Sequence, residues 1–291
     1  MDLFLQQTFS GLAFGGVYAS VALAVVMIYQ ATDHFNFAQG EMATFSTYIA
    51  FSLLSAGLGY WWAFILAVLI SFVGGMLVER IIVRPVEKAP ILNQVIVFIG
   101  LLVIFNSLGG WIWDFTIKSF PSPFPSAPIF GNLISTHQAG VIGVTLVVLA
   151  LVAVFFRFTP VGLAMRAAAQ DPDSAKLVGV RVGWKLALGW GLAAAIGAVA
   201  GVMVAPIVFL EPNMMVGVLL YGFAGALLGG VSNPIGAVIG GFIVGVLEAL
   251  VGTYVPFVGN ELKLSVALVL IVGVLVFKPS GLFGRVVVRR V

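Results

Sequence analysis

Nine apolar runs separated by turn-forming residues organise the chain, at 8–30, 42–57, 60–80, 92–113, 139–156, 186–210, 215–231, 235–255 and 264–282. Most approach the roughly 20 residues that cross a bilayer as a helix. They are far too long for barrel strands, and a lipid-exposed backbone satisfies its hydrogen bonds only within a helix or a closed barrel. Helices are therefore predicted throughout. The runs at 42–57 and 215–231 are short and carry polar or glycine breaks, so each reads either as a full span or as a half-helix. The predicted fold class is an all-α integral membrane protein, a polytopic helix bundle of about eight to nine transmembrane helices with broken or re-entrant segments.

Composition closes off the soluble alternatives. Of 291 residues, 61% are hydrophobic and only 9% charged, against about 25% charged in soluble domains. No stretch is left for a folded soluble domain, and residues 1–291 read as one transmembrane domain. A net charge of +3 without a clustered basic face gives no reason to expect nucleic-acid binding. The absence of cysteine excludes disulfides, Cys-ligated zinc and iron–sulfur clusters, and two histidines, His34 and His137, are too few for the usual His-based metal motifs. The first basic residue is Arg80, so no basic region precedes the first span and that span is expected to be retained.

Charge placement orients the chain. All but two of the 14 Lys and Arg fall in three clusters: Arg80, Arg84 and Lys88; Arg157, Arg166, Lys176, Arg181 and Lys185; and Lys278, Arg285, Arg289 and Arg290. The positive-inside rule puts all three on the cytoplasmic side, and an even number of runs separates each cluster from the next. Lys118 and Lys263 fall outside. Three spans before Arg80 place the N-terminus outside, whereas a re-entrant 42–57 places it inside. The 115–137 segment, with Pro121, Pro123, Pro125 and Pro128, is too rich in proline for a helix and reads as an extended extracytoplasmic loop. Tyr60, Trp61, Trp62, Trp111 and Trp113 fit an interfacial aromatic belt.

Small residues recur every four positions: Gly11, Gly15 and Ala19; Gly189, Ala193, Gly197 and Gly201; Gly241 and Gly245. Such stripes let helix backbones approach closely in lipid, and they predict a tight bundle.

Three segments depart from a simple bundle. Asp33-His34-Phe35-Asn36-Phe37-Ala38-Gln39-Gly40-Glu41 is either a solvated loop or a segment dipping into the protein. The lack of nearby bases and the alternating Phe35 and Phe37 favour the second, which makes Asn36, Gln39, Gly40 and Glu41 pathway candidates, because polar groups at membrane depth face a cavity or a partner. Gly229-Gly230-Val231-Ser232-Asn233-Pro234-Ile235-Gly236 precedes a span carrying Glu248 on the Gly241–Gly245 face. That carboxyl points into the bundle, where it is protonated, hydrogen-bonded to a neighbour, or lining a water path. The third segment is the loop 157–185. Thr159-Pro160 and Asp171-Pro172 each read as an N-cap followed by proline at the first helical position. They predict two short helices, about 160–170 and 172–179. Their mixed apolar and charged composition suits docking against another protein more than lying on headgroups.

No phosphate-binding loop, nucleophile elbow, zinc-protease motif or dinucleotide fingerprint is present. A membrane enzyme therefore has no chemistry to draw on. A transporter powered by another chain, or a stand-alone channel or ion-coupled carrier for a small solute such as urea or an amide, both remain open at this point.

In this order, the segments resemble the branched-chain amino-acid ABC transporter permeases of the LivH family. The likeness rests on Phe35-Asn36-Phe37-Ala38-Gln39-Gly40-Glu41; on Thr159, Gly162, Arg166-Ala167, Asp171 and Ala175-Lys176-Leu177-Val178-Gly179-Val180; on Leu228-Gly229-Gly230, Gly236-Ala237, Gly240-Gly241 and Glu248; and on Pro279-Ser280-Gly281-Leu282-Phe283-Gly284. The resemblance implies a permease subunit in a bacterial or archaeal inner membrane. It implies a second permease, related or identical, as partner, with two cytoplasmic ATPases that use ATP and a periplasmic or extracellular substrate-binding protein. This chain itself would bind no cofactor. It further implies that the 157–185 pair couples to the ATPase through Thr159, Gly162, Arg166, Ala167, Asp171, Lys176 and Gly179.

Overall fold

The computed structural model describes residues 2–32, 34–87, 89–125, 127–129, 133–259 and 262–284. Asp33 and the cluster members Lys88, Arg285, Arg289 and Arg290 lie outside the described residues. Each apolar run forms a helix. The long ones are α1 (Asp2–Thr32), α3 (Tyr60–Val78), α5 (Ile91–Trp113), α6 (Thr136–Phe158), α9 (Val182–Val208) and α11 (Pro234–Tyr254). Among the described residues these six, with α3 counted on through Val86, are long and apolar enough to cross a membrane. The shorter apolar helices are α2 (Gln39–Ser55), α10 (Met214–Gly229) and α12 (Lys263–Phe277).

The remaining elements lie in the connections. A π-helical turn over Glu79–Val83 and a short α4 (Arg84–Val86) extend α3. Between α6 and α9 stand α7 (Pro160–Gln170) and α8 (Pro172–Leu177). The proline-rich segment has no helix among its described residues before Thr136 and holds an antiparallel pair, β1 (Pro128–Ile129) with β2 (Ile134–Ser135).

Boundaries differ from the sequence pattern where local chemistry overrides hydrophobicity. α12 stops at Phe277 and not at 282, because Lys278 precedes Pro279 and proline disfavours the helical conformation of the residue before it. α9 begins at Val182, ahead of the apolar run, since Val182 and Leu186 join a small cluster with Ala168, Ala175 and Val180. α8 ends at Leu177, and Gly179 follows at φ +84°, a left-handed conformation open to glycine.

The chain divides into two compact units, one made of Met1–Val26, Phe124–Ile142 and Gly217–Val291, the other of Met27–Pro123 and Gly143–Val216. In the first, the predicted stripes of α1 and α11 face each other. A Cβ on Gly245 would stand 2.4 Å from the Cα of Gly15, and one on Gly241 2.4 Å from the Cα of Ala19. α10 and α11 form a hairpin whose backbones touch at Gly229 and Gly236, with Asn233 capping α11 through the amides of Ile235 and Gly236. The Pro279–Gly284 segment returns to this hairpin. Leu282 and Phe283 donate backbone hydrogen bonds to the carbonyls of Leu228 (2.7 Å) and Gly229 (3.1 Å).

In the second unit α9 is the central element, almost wholly buried from Ala193 to Ala205. Its Ala193, Gly197 and Gly201 receive Gln39, Ala43 and Thr47 of α2. Another face packs on α3, where Gly75 lies against the Trp190 carbonyl. Lys118 and Leu210 exchange two backbone hydrogen bonds of 2.9 Å. Each bridges back from a helix whose C-cap is a non-glycine residue at positive φ, Asp114 for α5 and Phe209 for α9.

Candidate functional site

Residues 34–41 enter the second unit, with Asn36 and Ala38 to Glu41 buried. Asn36 is buried and accepts the Ala38 amide (3.0 Å), a tight turn that starts α2. Gln39, 1% exposed, donates to the Ala193 carbonyl at 2.9 Å and so ties α2 to α9. Gly197 leaves room for it, since a Cβ there would meet Gln39 Nε2 at 2.7 Å. Gly40 is buried, and its carbonyl accepts from Thr44 (3.2 Å).

Glu41 points away from α9. Two residues along a helix turn it by about 200°, so when Gln39 faces α9 Glu41 faces the opposite side. There Glu41 Oε2 accepts from Asn106 Nδ2 of α5 at 3.2 Å. The same nitrogen lies 2.9 Å from Asn213 Oδ1 and 3.3 Å from the Pro212 carbonyl. Two turns further, Tyr48 stacks on Trp113 with ring centroids 5.0 Å apart, and Trp113 Nε1 donates to Ser52 at 2.7 Å. The Tyr48 hydroxyl is buried without a hydrogen-bond partner among the described residues. A carboxyl, an amide oxygen and a backbone carbonyl thus converge on one donor amide in an otherwise apolar wall. This acceptor-rich patch is chemically suited to a solute carrying N–H donors.

Glu248 lies in the first unit and forms a separate cluster. Its Oε2 accepts from Tyr18 Oη of α1 at 2.7 Å, and the Tyr221 ring of α10 stacks on that of Tyr18 at 4.8 Å. Of the three states open to Glu248 in sequence, the structure displays hydrogen bonding to a neighbouring helix, α1.

The α7–α8 pair is built by its caps. Thr159 Oγ1 accepts the Gly162 amide at 3.0 Å, and Asp171 Oδ1 accepts those of Asp173 (3.1 Å) and Ser174 (3.0 Å). Gly162 is required by the turn out of α6, because a Cβ would stand 2.4 Å from the Phe155 carbonyl oxygen. The Ala167 carbonyl accepts the Asp171 amide (3.1 Å), closing α7 onto α8. Hydrogen bonds from the Ser174 hydroxyl and amide, then from the Asp173 amide, hold the Asp171 carboxyl below its usual range. Lys176 pairs with Asp173 at 2.9 Å, which raises its ammonium pKa. Arg166 is exposed and pairs with no described carboxylate. Leu177 and Val178 stand almost fully in the open, 88% and 79% exposed.

Comparison with known proteins fits this layout. The family described as "Branched-chain amino acid transport system / permease component" matches residues 7–275. The chain is a branched-chain amino acid transport permease by family. This permease is 32% identical to the high-affinity branched-chain amino acid transport system permease protein LivH of Salmonella typhimurium, over 99% of this chain and 98% of that one. It is 31% identical, at the same coverage, to the permease protein BraD of Pseudomonas aeruginosa. With the probable branched-chain amino acid transport permease protein LivH of Methanocaldococcus jannaschii it shares 23% identity over 91% and 87% of the two chains. A solved chain of PsaBC from Streptococcus pneumoniae superposes with a TM-score of 0.48 at 15% identity, covering 91% of this chain and 87% of that one.

Sequence reasoning missed Asn106, Asn213, Tyr18 and Tyr221 in this permease. Asn106 carried a signal of its own, as an amide inside an otherwise apolar span, which is costly in lipid and therefore has a partner. Asn213 had none, since it sits in an ordinary Glu211-Pro212-Asn213 turn between runs. The buried Glu79, paired with Arg84 at 3.3 Å across the π-helical turn, also escaped the periodic reading.

Proposed function

We propose that the chain is the membrane subunit of an ABC importer for branched-chain or similar small amino acids in the inner membrane of a bacterium or archaeon. A second permease, two cytoplasmic ATPases and an extracytoplasmic binding protein complete the machine, and the ATPases alone use ATP. The observation that carries the coupling part is the α7–α8 pair. It is doubly capped, anchored by Ala168, Ala175 and Val182, and presents an open Leu177–Val178 tip. A rigid frame with an exposed apolar tip suits insertion into a groove of a partner protein. ATP-driven closure of the ATPases would then move α7–α8 as a body and, through α9, change the face to which the pathway opens. The acceptor cluster of Glu41, Asn106 and Asn213 supports a role in meeting the ammonium group of the solute, with Asn36, Gln39 and Gly40 shaping the α2 entrance and Glu248 a pathway-side residue of the other unit. The relatives LivH and BraD, named as branched-chain amino acid permeases, support that substrate class.

The test is purification of the tagged chain from its native membrane in mild detergent, followed by mass spectrometry and ATP-driven leucine uptake in proteoliposomes. Co-purification of a second permease and an ATPase is expected, as is loss of both ATPase association and uptake on Leu177→Asp. A homo-oligomer that carries solute without any nucleotide-binding chain would replace this reading with that of a stand-alone carrier.

A further inference from the structure

We propose that the recess at the head of α9 binds the phosphate of an anionic phospholipid, a site distinct from the pathway and from the Leu177–Val178 tip. A cavity of about 470 Å³ opens there, lined by Ala164 of α7, Gly179 and Val180 of the α8–α9 connection, and Arg181, Trp184 and Lys185. No acidic side chain lines it. Ligand cavities run to several hundred Å³, so a headgroup fits.

Four features converge on this place. Arg181 and Lys185 line the recess itself. Arg80 places its guanidinium 4.8 Å from the centre of the Trp184 ring. Arg84, whose Nε is held by Glu79, lies against Gly183 with its Nη2 unpartnered. Finally, no side chain caps the N-terminus of α9, a helix of 27 residues. The amides of Val182, Trp184 and Lys185 already donate to the Val180 and Arg181 carbonyls, so what the helix end contributes is the positive end of its dipole. Glu79 is already engaged by Arg84, and among the described residues Arg80, Arg181 and Lys185 form no ion pair.

The surroundings select a lipid over a free ion. Val73, Leu77 and Ile81 form an exposed stripe on α3 that runs away from Arg80, each more than half exposed, which offers a track for an acyl chain. Trp184, 47% exposed beside the cations, is the side chain that favours the headgroup level. Basic pockets between transmembrane helices on the positively charged side are suited to anionic headgroups. The bound lipid would touch α7, the α8–α9 connection and α9 together and brace the coupling pair. This last consequence rests on the proposed transport role, whereas the binding itself does not.

The experiment uses the whole transporter extracted from its native membrane. Native mass spectrometry reads retained phospholipid, and nanodiscs of phosphatidylcholine with or without phosphatidylglycerol read its effect. Wild type is expected to retain phosphatidylglycerol through delipidation. Each headgroup-facing cation contributes roughly a factor of five, so Arg181→Gln with Lys185→Gln weakens retention about 25-fold. The charge-preserving exchange Arg181→Lys with Lys185→Arg should keep it, which separates loss of charge from failure to fold. Lys118→Gln, remote from the recess, should change nothing. Equal retention by wild type and the double Gln variant overturns the site. Thermal stabilisation by inorganic phosphate alone, with no response to phosphatidylglycerol, overturns the lipid assignment. If the lipid binds as expected but ATP-driven uptake is absent, the transport role fails and the site stands.

Discussion

Replacing Gly245 by alanine tests whether the α1–α11 stripe is held at backbone contact. The new Cβ would stand 2.4 Å from both the N and Cα of Gly15 and 2.5 Å from the Gly11 carbonyl oxygen. Non-bonded carbon contacts relax only near 3.5–4.0 Å, so the two backbones must part by about 1 Å. Overpacking of this kind costs about 1–3 kcal/mol. The Tyr18–Glu248 hydrogen bond spans the same two helices at 2.7 Å, less than one turn from Gly245, and the parting stretches it, adding about 0.5–1.5 kcal/mol. The expected total is about 1.5–4.5 kcal/mol, roughly one to three orders of magnitude in the folded-to-unfolded ratio. The control is Gly273→Ala in α12, where nothing lies within 4 Å of the added carbon and helix propensity alone predicts a gain of up to about 1 kcal/mol. Denaturant titration of the two purified variants in mild detergent, followed by tryptophan fluorescence, makes the comparison. Equal midpoints would refute the reading that these glycines set the helix separation.

Two further outcomes follow from the second unit. Asn106→Leu removes the donor shared by Glu41, Asn213 and the Pro212 carbonyl and leaves the Glu41 carboxyl, 4% exposed, without that partner; this should cost about 1–3 kcal/mol and depress uptake, and a wild-type melting temperature would show that the cluster is not coupled to the fold. Asp171 caps α8 with a carboxyl whose pKa is lowered chiefly by Ser174. A group with a depressed folded pKa stabilises above its unfolded value and loses that contribution as the pH falls through the folded one. Protection of the Ser174 amide, corrected for intrinsic exchange, should therefore hold at neutral pH and disappear on strong acidification, while Asp171→Asn keeps a cap that no longer responds; identical acid profiles for the two proteins would refute the assignment.

The helices and caps were legible in the sequence because they rest on local chemistry. Thr159-Pro160 and Asp171-Pro172 announce N-caps whichever way the chain folds, and both hold in the structure. The small-residue spacing also carried over, and Gly241 and Gly245 meet Ala19 and Gly15 as stripes should. The polar partnerships were not legible, because each joins residues far apart in the chain: Glu41 with Asn106, Gln39 with the Ala193 carbonyl, Tyr18 with Glu248. Periodicity says which face of a helix turns inward, but not which neighbour it meets. The π-helical turn at Glu79–Val83 was hidden for a local reason. It accommodates a pair between the buried Glu79 and the partly exposed Arg84 that the apolar run through residue 80 does not announce.

α2 shows why a short, polar helix belongs in so apolar a chain. Gln39, Ala43 and Thr47 recur every four residues and close on α9, while Glu41, Phe45, Tyr48 and Ser52 turn toward α5, where Asn106, Phe105 and Trp113 meet them. A helix covered by protein on two faces need not be apolar to be stable, since its polar atoms find partners and not lipid. The same burial fixes α2 to α9. Gln39 hydrogen-bonds the α9 backbone, and Thr47 lies where a Cβ on Gly201 would be 2.4 Å away, so the pair can shift only as one body. α9 carries the α7–α8 pair at its head and α2 on its middle, about 16 Å further along at 1.5 Å per residue. In the proposed cycle, a displacement imposed on the coupling pair therefore reaches Glu41 through the packing of Ala168 and Ala175 on Val182, one continuous helix and the close contact of α9 with α2.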